Sequence, residues 1–472
     1  MKLRTALGAL ILAAASLASA SGVHFGIVED SDSNHYYRSS GFSSFEVHYE
    51  GEIALSADKE TITNMPPGAS LEIRVRRLFT TRIVRVTAGD AGKAQIRYWI
   101  GDRTGSAEAG REFLARHLPE VARVTAVGAA AEARRLLALG PARLLDAVPD
   151  LESETAQEIY LDELGRSRPA DPAIGKRAVD VAAHEISSSR RLRRILSDFA
   201  SALPPDPAIT SALARACSEI SSSSQSAAAI VEIARVRGMS AASARDYGHS
   251  LREIGSSSEK AGAIERLVPL APDAPSIEVL AEAAESIASS SETRRALEAL
   301  CLHPDLSPAT LARIISAGTK IASSSEKASF LVACAGAAAP APEPRRAYLA
   351  VARTIESSSE TRRALSALLR SGVTGNGVTA ILMAGKGIDS ASQKGELLVQ
   401  AATVPLDASA FQAYLDCAAS IESSSEKARA IRALLAAGTL SPDQRKSILD
   451  FAEREISSSS ERESVLHAAL TR

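Results

Sequence analysis

The chain has 472 residues, with 54 Lys and Arg against 56 Asp and Glu, a formal charge of −2. That balance is not one of a protein built to coat nucleic acid or an anionic membrane. Hydrophobic residues make up 45%, enough for a large core and too many for global disorder, although aromatics are only 4% and Trp99 is the single tryptophan.

Residues 1–20 read MKLRTALGALILAAASLASA. Lys2 and Arg4 form a positive start, Leu7 to Leu17 an apolar centre, and Ala18-Ser19-Ala20 a small-residue cleavage pattern. This is the pattern of a secretory signal peptide cut before Ser21, and it sets the expected address as periplasmic or secreted. No later stretch holds about 20 uninterrupted apolar residues, so no membrane insertion of the mature chain is expected.

Residues 21–104 read as a β-rich module. The segments 44–49, 70–76, 81–86 and 95–100 alternate apolar and polar residues, while Pro66-Pro67-Gly68, Gly89–Gly92 and Gly101-Asp102 supply turns. A small antiparallel sheet with one face on a core is expected. Residues 105–140 read as a helical connector, with helices over 112–123 and 129–139.

From residue 141 to 472 one phrase, I-x-S-S-S-E-K or a near relative, returns with a period of 33–35 residues. Its leading aliphatic residue is Leu151, Ile186, Ile220, Ile254, Ile287, Ile321, Ile355, Ile388, Ile421 and Ile456 in turn. Seven residues earlier stands a large apolar residue, Leu144 in the first unit and Leu449 in the last; four earlier a small one, such as Ala182 or Ala283. Positions −7, −4 and 0 share one helical face. The Ser at +2 and the Glu or Gln at +5 have the spacing of a capping box in eight of the ten units, which starts a second helix at the serines. An aliphatic residue at +10, from Leu161 to Leu466, turns that helix inward. Ser307-Pro308 and Ser441-Pro442 mark entries to new first helices, and Gly372 and Gly438 close helices. The fold class is therefore mainly α: a HEAT-like αα-repeat solenoid of about ten units preceded by a small antiparallel β module.

GEIALSADKETITNMPPGASLEIRV, a strand ending in RYWI, and the I-x-S-S-S-E-K-A-R-A repeats together resemble a bacterial family. In it an extracytoplasmic β module precedes αα repeats bearing I-x-S-(D/S)-x-E-K motifs. The repeats are also similar to periplasmic parts of membrane metallopeptidase sensors. The resemblance implies an envelope address and, as an alternative role, a sensory or regulatory partner of a membrane signalling system. The chain carries no H-E-x-x-H motif, so proteolysis does not carry over.

Motifs with a chemical look are read structurally. S-x-x-K occurs at Ser257–Lys260, Ser324–Lys327 and Ser424–Lys427, but all three sit in the capping column without S-D-N or K-T-G partners. Asp30-Ser31-Asp32-Ser33-Asn34 opens like a calcium loop, yet His35 and Gly41 stand where glycine and glutamate belong. Gly372, Gly375 and Gly377 follow no strand and make no phosphate loop. His24, His35 and His48 share the β module without ligand spacing, so no metal, no cofactor and no catalytic residue is assigned. Cys217, Cys301, Cys334 and Cys417 read as buried small hydrophobes; Cys301 and Cys334 hold near-equivalent places in adjacent units and are the one pair for a bridge, which a helix spacing of about 8–10 Å disfavours. At +8, Arg194, Arg295, Arg363 and Arg429 form a broken basic stripe, taken as the candidate partner-binding residues. The expected function is a non-enzymatic interaction or scaffold protein for a protein or cell-envelope polymer, with no nucleic-acid partner; a hydrolase comes third.

Overall fold

The computed structural model describes residues 34–89, 93–438 and 440–470. The leader, His24 and residues 30–33 of the calcium-like loop lie outside them. Two compact units divide at Ile220 and Ser221.

The first unit opens with an antiparallel sheet in the order β1-β2-β5-β6-β7-β8. Its strands are β1 His35–Ser40, β2 Ser43–Glu50, β5 Ser70–Arg77, β6 Thr80–Ala88, β7 Ala94–Ile100 and β8 Arg103–Thr104; β3 Ala54–Leu55 and β4 Ile62–Asn64 pair separately. The four strands expected from alternation all lie inside observed ones. The edge strand β1 was not expected because HYYRSS has no apolar alternation; Tyr36 alone is buried in it. Phe45, Val47, Leu71, Ile73, Val75, Val84, Val86 and Tyr98 form one face of the sheet, buried against α1, Ala107–Val124, through Phe113, Leu114, Leu118 and Val121. A side chain at Gly110 would place its Cβ 2.9 Å from Ile96 Cγ2 and 3.1 Å from Tyr98 Cβ, so the absence of one lets helix and sheet meet. The alternate face carries charged residues in cross-strand register, as the period-2 rule requires.

Repeats fill the rest of both units, and together with α1 and the helix over 129–139 they bring the α-helices among the described residues to 22, in a mainly α, solenoid-like arrangement. One stretch shows the rule: first helices α13 Pro308–Ala317 and α15 Pro342–Ala352 pack on each other, as do second helices α14 Ser324–Ala338 and α16 Ser358–Arg370. The anchor departs from expectation. It sits just past the first helix in extended backbone, with ψ of 108° at Ile220, 114° at Ile254 and 113° at Ile321, rather than on its face. It is buried in all ten units. The −7 and +10 columns are buried too, except in the last unit, where Leu449 and Leu466 are only partly covered and the adjacent Ile448 and Val465 take the core places.

Each serine of the tract has a separate bond. The +2 serine is the N-cap of the second helix, and the Ser256, Ser323, Ser390 and Ser423 hydroxyls accept from the backbone N–H at +5. The reciprocal half of the expected capping box is replaced. The N–H groups of Ser256, Ser323 and Ser390 donate, at 3.2 Å, to the +3 serine hydroxyls of the preceding unit, Ser223, Ser290 and Ser358. The +4 serine hydroxyl meets that of +2, as in Ser323 with Ser325 at 3.0 Å. Freed from capping, the +5 glutamates pair with arginines: Glu326 with Arg294 and Glu360 with Arg363. True capping boxes occur instead at Ser240 with Ser243 and Ser441 with Gln444, which open first helices.

The S-x-x-K lysines, and Lys394 at the same place in its unit, are buried tethers. Lys327 Nζ donates to Thr354 O and Oγ1, and Lys394 Nζ to Ser420 O and Oγ. Lys427 Nζ reaches Glu455 O at 3.0 Å. Each thus holds a carbonyl at the C-terminal end of the following unit's first helix, where the helix dipole favours a cation. Lys260 bonds Arg252 O and Ser286 Oγ, and its burial, like that of Lys327, lowers the ammonium pKa.

Cys301 and Cys334 are joined by a disulfide, with Cα atoms 6.1 Å apart. The spacing argument fails here because close approach between neighbouring second helices brings the two backbones nearer than average axis separations suggest. Cys217 and Cys417 are buried and take no part in a disulfide. Burial raises both thiols, that of Cys417 to about 11.

Candidate functional site

Among described residues, the four arginines at +8 are engaged by neighbouring acids. Arg194 contacts Glu158 at 2.5 Å, Asp162 at 2.8 Å and Asp198 at 3.7 Å. Arg295 pairs with Glu265 and Glu292, Arg363 with Glu360 and the Ser325 carbonyl, and Arg429 with Glu426. Carboxylates at this range neutralise most of the field an arginine presents to a distant partner.

A different cationic surface lies at one end of the β sheet. The antiparallel order brings three turns there: Gly41-Phe42, Leu78-Phe79 and Gly101-Asp102. The first two are tied by Leu78 N–H donating to Phe42 O at 2.9 Å, and Gly101 N–H donates to Thr81 O at 2.8 Å. Gly41 has φ +56°, which suits glycine at the first central place of a two-residue hairpin. Leu78 occupies the same place in its hairpin with φ +51°, a conformation in which its Cβ is crowded. The side chains made prominent are apolar: Phe79 is 98% exposed, Phe42 74% and Leu78 61%.

Around them stand Arg76, Arg77, Arg82 and Arg103, all exposed and with no carboxylate in salt-bridge range among the described residues. Asp102 is the single acid in segments 40–44, 76–82 and 99–104. Below the tip, His117 packs against Phe113 at 4.5 Å and Phe45 at 6.0 Å between ring centroids. Burial lowers the pKa of its imidazole; Glu120 opposes the shift, while Arg116, Arg77 and Arg82 reinforce it.

Alternation predicts the strands over 44–49, 70–76, 81–86 and 95–100 and the turn at Gly101-Asp102, but not β1, the turns at Gly41-Phe42 and Leu78-Phe79 or the aromatic tip, because exposure of Phe42 and Phe79 depends on which loops share a sheet end. The doublets Gly41-Phe42 and Leu78-Phe79 between polar flanks were the available signal.

Toward the other end of the sheet, on its charged face, His35 and His48 are direct cross-strand partners. Their rings stack with centroids 4.1 Å apart and planes inclined by 17°. Glu46, two residues before His48 and hence on the same face, has Oε1 at 3.4 Å from His35 Nε2 and 3.0 Å from His48 Nε2. The three donor atoms lie within 4.8 Å of one another. Arg74 holds the other oxygen, Glu46 Oε2, at 3.2 Å, and Glu72 links Arg74 to Arg85. Burial alone would raise the Glu46 pKa, but His48, Arg74 and His35 outweigh it and hold the carboxyl below its ordinary value. Sequence spacing hid this cluster: 13 positions separate His35 from His48, and only the two-residue turn at Gly41-Phe42 makes them neighbours.

No helix among the described residues is long and apolar enough to cross a membrane. No protein-family model matches the chain, and no curated protein does.

Proposed function

We propose that the protein is a non-enzymatic, extracytoplasmic interaction protein, and that the aromatic–arginine tip of its sheet is the surface that meets an acidic partner in the cell envelope. The observation that carries this reading is the strained Leu78 with exposed Phe79 amid arginines that meet no acid among the described residues. Exposed apolar groups of this size are costly in water, and a positive φ at leucine adds a cost of about 1–2 kcal/mol. Aromatic and arginine side chains are also the residue types that dominate binding energy at protein interfaces. The reading of 1–20 as a leader and the Cys301–Cys334 bridge support an exported address, since structural disulfides persist in oxidising compartments. The repeats serve in this view as the scaffold, their arginines committed to holding units together.

The test is sedimentation of the mature protein with isolated cell-envelope fractions. Phe79→Ser combined with Arg77→Glu is expected to weaken retention at least about tenfold, the effect of losing central anchor residues. Arg295→Glu with Arg363→Glu should leave it within about twofold. Equal loss from both pairs, or loss from the solenoid pair alone, would overturn the assignment to the tip.

A further inference from the structure

We infer that His35, Glu46 and His48 form a divalent transition-metal site, suited to Zn²⁺, on the charged face of the β sheet. Three observations converge on it. The first is the donor set, two imidazole nitrogens and one carboxylate oxygen, which suits zinc and its neighbours in the first row and not calcium or magnesium. The second is geometry. Donors bound tetrahedrally at the usual zinc distances of about 2.0–2.2 Å stand about 3.4 Å from one another. Glu46 Oε1 already lies 3.0 and 3.4 Å from the two imidazole nitrogens.

The third is an unmet bonding need. His35 Nε2 is shielded from solvent and makes no directed hydrogen bond, since the 3.4 Å approach of Glu46 is poorly aligned. A buried ring nitrogen without a partner is costly, and a metal ion would supply the partner.

The surroundings favour the bound form. Pairing across β1 and β2 places both histidines without any demand on loop order, and a turn of the stacked rings about their side-chain bonds would bring both in-plane nitrogen lone pairs onto one ion. Arg74 fixes Glu46 Oε2 and leaves Oε1 facing the histidines, the kind of outer hydrogen bond that orients a ligating carboxylate. A cleft of about 400 Å³, bounded by Asn34, Glu50, Glu72 and Arg85 as well as the two histidines, leaves the fourth position open to water or to a group from outside. The ion would also pin the edge strand β1 to β2. The inference is independent of the role given to the sheet tip, which lies at the opposite end of these strands.

The experiment uses the purified mature chain, stripped with a chelator and titrated with Zn²⁺ against a chromophoric competitor, then with Co²⁺ for its visible d–d absorption. One equivalent should bind, and Co²⁺ should give the intense bands of a four- or five-coordinate site. His35→Ala and His48→Ala should each lower Zn²⁺ affinity by more than about 10–100-fold, the range for losing an outer partner of a ligand, and Glu46→Gln at least about tenfold. Because all three side chains lie on the face away from the core, circular dichroism of the stripped variants should match the parent, as should the melts of the histidine variants, while Glu46→Gln should melt slightly lower through loss of its pairing with Arg74. Zn²⁺ should raise the melting temperature of the parent and not of the double variant His35→Ala/His48→Ala. Absence of a saturable equivalent in the parent, or equal binding by the double variant, would overturn the site.

Discussion

At the scale of single residues, Leu78 and His117 report on the sheet tip from two sides. Replacing Leu78 by glycine removes the crowding of a left-handed leucine, so Leu78→Gly should raise the melting temperature of the first unit, by up to about 1 kcal/mol in stability. It should at the same time weaken envelope retention; a variant both less stable and fully retained would show that the turn is neither strained nor used. His117 supplies a pH dependence. Its folded-state pKa is lowered by burial, so the unfolded chain binds this proton more readily. Stability from this group is complete above the unfolded value of about 6.5 and falls as pH drops through it toward the folded value. Denaturant melts at pH 7.5 and 5.5 should show that fall, and His117→Phe should flatten it; an unchanged slope in the variant would place the acid sensitivity elsewhere. Glu46 acts in a separate, lower window, because a lowered carboxyl loses its contribution only as pH falls through its own folded pKa.

At the scale of elements, the repeat motif is a set of bonds between units as much as a core pattern. Lys394→Met keeps the apolar stem and removes the Nζ bonds to Ser420, leaving a part-buried helix-end carbonyl without that donor. The expected cost is about 1 kcal/mol in chemical denaturation, the low end of the penalty for a stranded acceptor because the carbonyl is only part-buried. A more stable variant would mean that desolvation of the ammonium outweighs its bonds. Gly110→Val should cost more, about 1–3 kcal/mol, since its Cβ and methyl groups enter the space held by Ile96 and Tyr98. Element existence was legible in the sequence because Ile, Ser and the +10 aliphatics return at one period, and the period is a property of the chain alone. The reciprocal capping box was not, because the partner of the Ser323 N–H is Ser290, 33 residues away in the preceding unit. The same limit hid the His35–His48 pairing and the Cys301–Cys334 bridge: each depends on how near two segments come, which spacing along the chain does not state.

At the scale of the whole molecule, composition acquires a cause. The alanines permit close packing of first helices, and the serines cap, cross-link and pair within the tract. Near-neutral charge conceals an uneven distribution, with the +8 arginines of the repeats matched to acids and the sheet-tip arginines without an acid in range among the described residues. The disulfide adds a second whole-chain test. It closes a segment of 33 residues, for which chain entropy gives about 3–4 kcal/mol. Reduction, or Cys301→Ser with Cys334→Ser, should lower the melting temperature of the second unit, and identical melts with and without reductant would show that the bridge does not form.

The central claim is that the sheet tip, and not the arginine column of the repeats, meets the partner. The deciding measurement is photo-crosslinking in intact cells that express the protein, with p-benzoylphenylalanine placed at Phe79 in one sample and at Arg363 in another. The account predicts a discrete adduct from position 79 that disappears when Arg77 and Arg82 are both changed to Glu, and none from position 363. An adduct from position 363 with none from position 79 would contradict it.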